Sequence, residues 1–366
     1  MDNSLTNSKD SKNRSKLFFL KKYLFLAISL FFIFILFFGG FSFFNFIKDS
    51  SLLQEETCGD GTSYNNCSNT KPYFCLDGKL IDLASVCECP ENFFKENNFC
   101  VSPYQTEPKE ISLNYIVRGK TYFTDFEVYG GFKEYISNIP RSINHLDSDN
   151  LSRADFKIKV VNEEEQRKML LPLVIKIQNM TSIKEDQARI AISIVQNIPF
   201  GASNKTSSFG GYEINYSRYP YGVIYDMEGI CGEKTDLLAL LLKEMGYGVA
   251  FFYYPSYNHE ALGIKCSIKE SLLKSEYCFV ETTGPSIITD DKIYYVNIGK
   301  LSLEPEFYLI SDGKSIGNNL YEYSDADKLV KIRNSIEKYG MLGSLSKRTL
   351  EKLNEKYGLA EDYYGG

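Results

Sequence analysis

The sequence predicts an α+β fold. One buried helix that opens on a cysteine lies against an antiparallel sheet, preceded by one transmembrane helix and a small disulfide-rich module. Three observations carry this reading. Cys231 opens a Leu-rich run with the spacing of a helix, and strand-like runs follow it. Six of the nine cysteines crowd into residues 58–100. Ahead of them, residues 23–47 carry no charge at all. At 366 residues the chain exceeds one minimal domain and suffices for a sizeable core with appendages. Its net charge is -6, with no basic block outside the N-terminus, so nucleic acid is excluded as a partner class.

Residues 1–22 form a short basic tail. The apolar stretch 23–47 is long enough to span ~30 Å of hydrocarbon as a helix. Lys9, Lys12, Arg14, Lys16, Lys21 and Lys22 precede it, and only Lys48, beside Asp49, follows closely. The positive-inside rule then predicts a cytoplasmic N-terminus and everything beyond residue 48 outside. The expectation is a single-pass protein of the cell membrane, with the lipid bilayer as its partner through 23–47. A cleaved signal peptide is the rival reading. The run is longer than the usual h-region of ~7–15 residues, which favours an uncleaved anchor, while Gly39, Gly40 and Ser42 keep cleavage open. An outside location makes the acceptor patterns at Asn66, Asn150, Asn179, Asn204 and Asn215 candidate glycosylation sites.

Cys58, Cys67, Cys75, Cys87, Cys89 and Cys100 form an even set in a short, loop-rich, exported stretch. That predicts three disulfides with the connectivity left open. A zinc site is the alternative, but the segment holds no histidine and no paired C-x-x-C knuckles. With Cys87-Glu88-Cys89 near its end, the segment resembles an epidermal-growth-factor-like module.

Residues 110–160 read as a small α+β lead-in. Apolar and polar residues alternate over 111–117 and 120–129, Gly130-Gly131 breaks the pattern, and 132–136 suits a short helix. His145, among Asn144, Asp147 and Asp149, reads as a solvated turn residue. A helix is expected over 163–178, with acidic residues in its first turn and a kink or break at Pro172. A second, largely buried helix covers about 184–197 and stops before Pro199. Residues 200–225 read as a long irregular loop, a kind that is often functional.

The third helix starts at Cys231, carries Leu237, Leu238, Leu240, Leu241 and Leu242, and ends at Gly246, a fitting C-cap. Strands are expected at 249–254, 259–265, 277–283 and 292–298, and two charged amphipathic helices over 324–363 around 340–343.

The chemistry centres on Cys231. A free thiol has an ordinary pKa of ~8.5, and a helix N-terminus with a paired imidazole lowers it by several units. Cys231 has that placement, Gly229 and Gly232 flank it, and its own backbone N–H would serve as an oxyanion donor. His259 heads the next strand but one and would take and return the proton. Glu281 is the best carboxylate to fix the histidine tautomer, with Asp290 and Asp291 as runners-up. Tyr219 or Tyr225 would supply a second oxyanion donor.

Gly229-x-Cys231-Gly232 opening a Leu-rich helix, then Met245-Gly246-Tyr247 before a strand, His259 at a strand start, and an acidic residue followed by Thr near the next strand resemble the transglutaminase-like branch of the papain-like cysteine hydrolases. The resemblance covers about residues 184–298 and extends in detail to membrane-anchored archaeal members. It implies a papain/transglutaminase-like core with Cys231 as nucleophile, His259 as base and Glu281 in the usual aspartate position. Two departures stand out: Glu replaces Asp, and His259-Glu260-Ala261 replaces a motif with an aromatic residue, in a chain without Trp.

Once the module's six cysteines are set aside, Cys231, Cys266 and Cys278 remain. If Cys266 and Cys278 pair, Cys231 is a single free thiol in an oxidising space, selected for reactivity or left buried. One conflict arises. A strictly opposed Cys266–Cys278 pair places Gly263, not His259, opposite Glu281, an offset of ~13 Å along the strand. Either Cys266 lies beyond the regular strand or one pairing fails.

The expected function is therefore a membrane-anchored, outward-facing cysteine hydrolase, a peptidase or amidase, working through a thioacyl intermediate on a peptide or protein amide outside the cell. It calls for no cofactor and no metal. The alternatives are a non-catalytic cell-surface binding or scaffold protein that keeps the fold, and a protein-crosslinking acyltransferase.

Overall fold

A computed structural model describes residues 56–140, 143, 152–209, 212–215, 217–295 and 299–359. The basic tail, the stretch 23–47, Asn150 and His145 lie outside the described residues. Among those described, no helix is long and apolar enough to cross a membrane. The longest, of 19 residues (Tyr321–Tyr339), carries charged side chains along its whole length.

Two expectations are corrected by this. Among the described residues the fold class is α+β with one four-stranded and five two-stranded sheets, and they include no transmembrane helix such as was expected to precede a single helix-on-sheet core. The cell-membrane location and the bilayer as partner likewise find no span among the described residues. Four disulfides fit a secreted or extracellular protein instead.

The cysteine-rich module holds two small hairpins, β1 (Tyr73–Leu76) with β2 (Lys79–Asp82) and, after the one-turn α1 (Ala84–Cys87), β3 (Phe94–Glu96) with β4 (Phe99–Val101). Its bridges are Cys58–Cys75, Cys67–Cys87 and Cys89–Cys100. Next come the long hairpin β5 (Pro108–Val117) and β6 (Lys120–Tyr129) and the helix α2 (Gly130–Ser137). Three helices follow, α3 (Arg153–Val161), α4 (Glu164–Met180) and α5 (Lys184–Asn197). Helix α4 runs on through Pro172 without a break. Pro172 is exposed, and Met169, Leu170, Leu173, Val174 and Ile177 bury the opposite side.

The stretch 200–225 is more regular than its composition suggests. It contains the hairpin β7 (Thr206–Phe209) and β8 (Tyr212–Asn215) and the start of α6 (Pro220–Asp226), with Pro220 at the favoured first helical position. Helix α7 (Cys231–Glu244) is buried on every side, with Leu237 to Leu242 fully inaccessible. It ends where Gly246 takes the left-handed conformation at φ +83.

The main sheet comes next: β9 (Val249–Tyr254), β10 (His259–Lys265) and β11 (Tyr277–Val280). Residues 292–298 do not extend it. Their described part is β12 (Tyr294–Tyr295), which pairs with β13 (Gly299–Lys300) in a separate sheet. The fourth main-sheet strand is β14 (Glu306–Ser311), giving the antiparallel order β11-β10-β9-β14. Helices α8 (Tyr321–Tyr339) and α9 (Ser344–Tyr357) close the described chain, and a buried Arg333–Asp290 ion pair ties α8 to the loop after β11.

The sheet register resolves the conflict between the two cross-strand pairings. Ile264 pairs with Cys278 and Leu262 with Val280, and the Cys266 N–H still bonds the Glu276 carbonyl at 2.8 Å. Neither pair is directly opposed. Cys266 reaches Cys278 diagonally with Cα atoms 5.8 Å apart, and His259 reaches Glu281 diagonally from the other end of the ladder. Each pair absorbs half of the offset, a distance long side chains span.

Candidate active site

Helix α7 begins at Cys231, whose sulfur is partly exposed and in no disulfide. The helix start is fixed by charge. Glu233, in the first turn, accepts the Ile230 N–H at 3.0 Å. Arg218 donates to Glu233 at 3.2 Å and also binds Asp226 and Glu228, so the turn before the cysteine is anchored to α6. Of the flanking glycines, Gly232 lines the open space beside Cys231. Gly229 packs against Val223 and Lys234, where a Cβ would meet side-chain carbons 3.1–3.2 Å away.

His259 starts β10 just after Asn258, which takes a left-handed turn at φ 44. The Cys231 sulfur lies 4.0 Å from the Asn258 carbonyl oxygen. The imidazole is buried, and its Nε2–H donates to Glu281 Oε2 at 2.9 Å. The other ring nitrogen is left for Cys231, which lines the same cavity. Burial opposes charge on His259, but the Glu281 carboxylate and Cys231 outweigh it and hold its pKa well above the usual histidine range. For Glu281, burial pulls upward, while His259, Tyr295 and the Thr283 backbone N–H pull harder the other way. The carboxyl is held below its ordinary range.

Glu281 is tightly bound. Its Oε1 accepts from the backbone N–H groups of Thr282 at 2.9 Å and Thr283 at 2.8 Å and from the Thr283 hydroxyl at 2.7 Å. Its Oε2 accepts from His259 and from the Tyr295 hydroxyl.

Cys231 and His259 open into one cavity of about 520 Å³, lined also by Arg153, Phe156, Tyr253 and Glu260. Tyr219 and Tyr225 are not brought to it. Tyr219 is buried with its hydroxyl 3.5 Å from the Ile139 carbonyl, and the Tyr225 ring lies against Lys109 and Lys133. Neither lines the cavity around Cys231. Asp290, buried against Arg333, is likewise engaged away from His259.

Three residues that pattern reasoning missed shape this region. On α3, Lys157 bridges Asp236 at 2.6 Å and Glu260 at 2.7 Å and donates to the Gly232 carbonyl at 3.2 Å. It thus joins the neighbour of Cys231 to the neighbour of His259. Burial disfavours its charge, but the two carboxylates more than offset this. Arg153 reaches the other Glu260 oxygen at 3.0 Å and lies over the Tyr253 ring. Lys234, one turn into α7, donates to the Ile198 and Thr283 carbonyls, and burial draws its pKa down to about 8. The signal for the α3 pair was an alternation of basic and apolar residues from Arg153 to Val161.

No family model matches this chain, and no curated protein matches it. Among solved structures, calcium-bound LapG of Legionella pneumophila aligns at 16% identity over 45% of this chain and 98% of that chain, with a TM-score of 0.21. A superposition that loose carries nothing about the site.

Proposed function

We propose that this protein is a secreted or extracellular cysteine hydrolase of the transglutaminase-like kind, acting on peptide or protein amide bonds. One observation carries the reading. The only cysteine outside a disulfide stands at the start of a buried helix and shares a cavity with a histidine that a buried glutamate holds at 2.9 Å.

In this reading His259 takes the Cys231 proton, giving a thiolate beside an imidazolium. The sulfur attacks the amide carbonyl carbon, and an S–C bond forms. The negative charge on the former carbonyl oxygen is met by the Cys231 backbone N–H, unsatisfied within the helix. The C–N bond then breaks, and the amine leaves with the imidazolium proton. Water attacks the thioester next. It gives one proton to His259, and the acid departs as the thiolate–imidazolium pair is restored. Glu281 keeps the Nε2 proton in place and supports the imidazolium without itself being protonated.

The test is iodoacetamide alkylation of Cys231, followed by mass spectrometry across pH in wild type and His259→Ala with disulfides intact. The expected result is fast labelling below neutral pH that falls ~100-fold in the variant, the loss of an activated pair. An ordinary thiol profile, unchanged in the variant, overturns the proposal in favour of a non-catalytic binding protein.

A further inference from the structure

We infer that Tyr295 is a positioning residue of this site: its hydroxyl pins the Glu281 carboxylate against His259 while its ring packs beside the imidazole. The inference rests on the proposed roles of Cys231, His259 and Glu281. Tyr295 belongs to β12, outside the four-stranded sheet, so the carboxylate is held from two separate sheets.

The need for such an anchor follows from the side chain. Glutamate has one more rotatable bond than aspartate, so a carboxylate on it must be fixed by additional contacts. The two backbone N–H groups of Thr282 and Thr283 and the Thr283 hydroxyl all fall on Oε1. Without Tyr295, the oxygen that faces the histidine would have His259 alone. With it, Oε2 has two donors, and the carboxylate plane is set by contacts at both ends. The Tyr295 and His259 ring centroids are 4.6 Å apart with planes tilted by 58°, so the tyrosine also limits how far the imidazole can swing.

The titratable groups that face this pair are Cys231 and Lys234 from α7, Tyr254 from β9 and Tyr295 itself. Of these, Tyr295 alone donates a side-chain hydrogen bond to Glu281 besides His259 and Thr283. Losing that donor raises the proton affinity of the carboxylate and weakens its support of the imidazolium. Proton transfer from Cys231 to the imidazole is then less favourable.

The experiment compares wild type, Tyr295→Phe and Glu281→Gln as full chains. It reads the rate of Cys231 alkylation by iodoacetamide against pH, together with the thermal midpoint. The phenylalanine keeps the ring and removes only the hydroxyl. The expected result is an acid limb moved upward by about half a pH unit, ~3-fold in rate at a fixed acidic pH, with the midpoint nearly unchanged. Glu281→Gln should move the limb further in the same direction. Superimposable profiles for Tyr295→Phe and wild type, with Glu281→Gln shifted, overturn the role of Tyr295 and leave the proposed function standing. If Glu281→Gln leaves the profile unchanged as well, the underlying assignment falls with it.

Discussion

The cysteine-rich module and the helix–sheet core use the same residue in opposite ways. In the module, six cysteines form three bridges around a core of Cys58, Tyr73, Cys75 and Leu80, to which Ile175 of α4 is added. Two large apolar side chains, Phe94 and Phe99, stay exposed at 68% and 58%. There is too little apolar surface to bury, and covalent links that restrict the unfolded chain take the place of a core. In the helix–sheet region, α7 and the strands beside it are packed from all sides, with Leu238, Leu241, Val249 and Leu262 fully buried. A core of that size stands without a bridge through its centre. A cysteine there can stay reduced, and the one disulfide, Cys266–Cys278, ties β10 to β11 at the end of the ladder opposite the candidate site.

That contrast can be broken or sharpened by three measurements. The largest effect is expected from Leu241→Ala in α7, which leaves a cavity at a fully buried position. A loss of about 2–5 kcal/mol in urea unfolding is expected, with the module's resistance to protease unchanged. A much smaller loss would show that the core is less decisive than its burial suggests.

Next comes the double variant Cys67→Ala/Cys87→Ala. It should cost about 3 kcal/mol, confined to the module and visible as cleavage within residues 57–101. Alkylation of Cys231 should keep its wild-type pH profile. A changed profile would mean that the two regions are not energetically separate.

The smallest effect is the pH dependence of stability in Glu281→Gln. The folded pKa of Glu281 is depressed from an ordinary 4.5, so its contribution is present above that value and is lost as pH falls through the folded value. The folded pKa of His259 is raised from an ordinary 6.5, so its contribution is complete below that value and is lost as pH rises through the folded one. The difference in thermal midpoint between wild type and variant should therefore be widest between pH 4.5 and 6.5 and narrow on both sides. A difference that does not vary with pH would remove the ion pair from the account of stability.

The legible parts of the molecule share a local cause. Helix α5 and strands β9 and β10 fall where periodicity and flanking signals put them, at Lys184–Asn197, Val249–Tyr254 and His259–Lys265. Each has an unbroken pattern that a proline, glycine or turn residue ends. Helix α3 was missed because Val160, Val161 and Phe156 sit among basic residues with no clear apolar stripe, and contact with α7 and β14 gives it its place. Strand β14 was missed for a similar reason. It is an edge strand, mostly exposed, whose position comes from pairing with β9. Tyr295 falls within the strand expected over 292–298, and no local pattern shows that its described part pairs with β13 outside the main sheet.

By itself, the sequence determined which residues open the central helix and the second strand of its sheet, and that six cysteines share one short stretch. Leu periodicity, caps and cysteine count act over a few residues and need no distant partner. The tertiary structure alone decided that Cys231, His259 and Glu281 meet, that both cross-strand pairs are diagonal, and that Lys157 and Tyr295 reach the same place. Strand register and side-chain convergence are set by hydrogen-bond ladders and packing between segments far apart in the chain. A shift of one residue in β10 or β11 would turn His259 or Cys278 to the other face of the sheet.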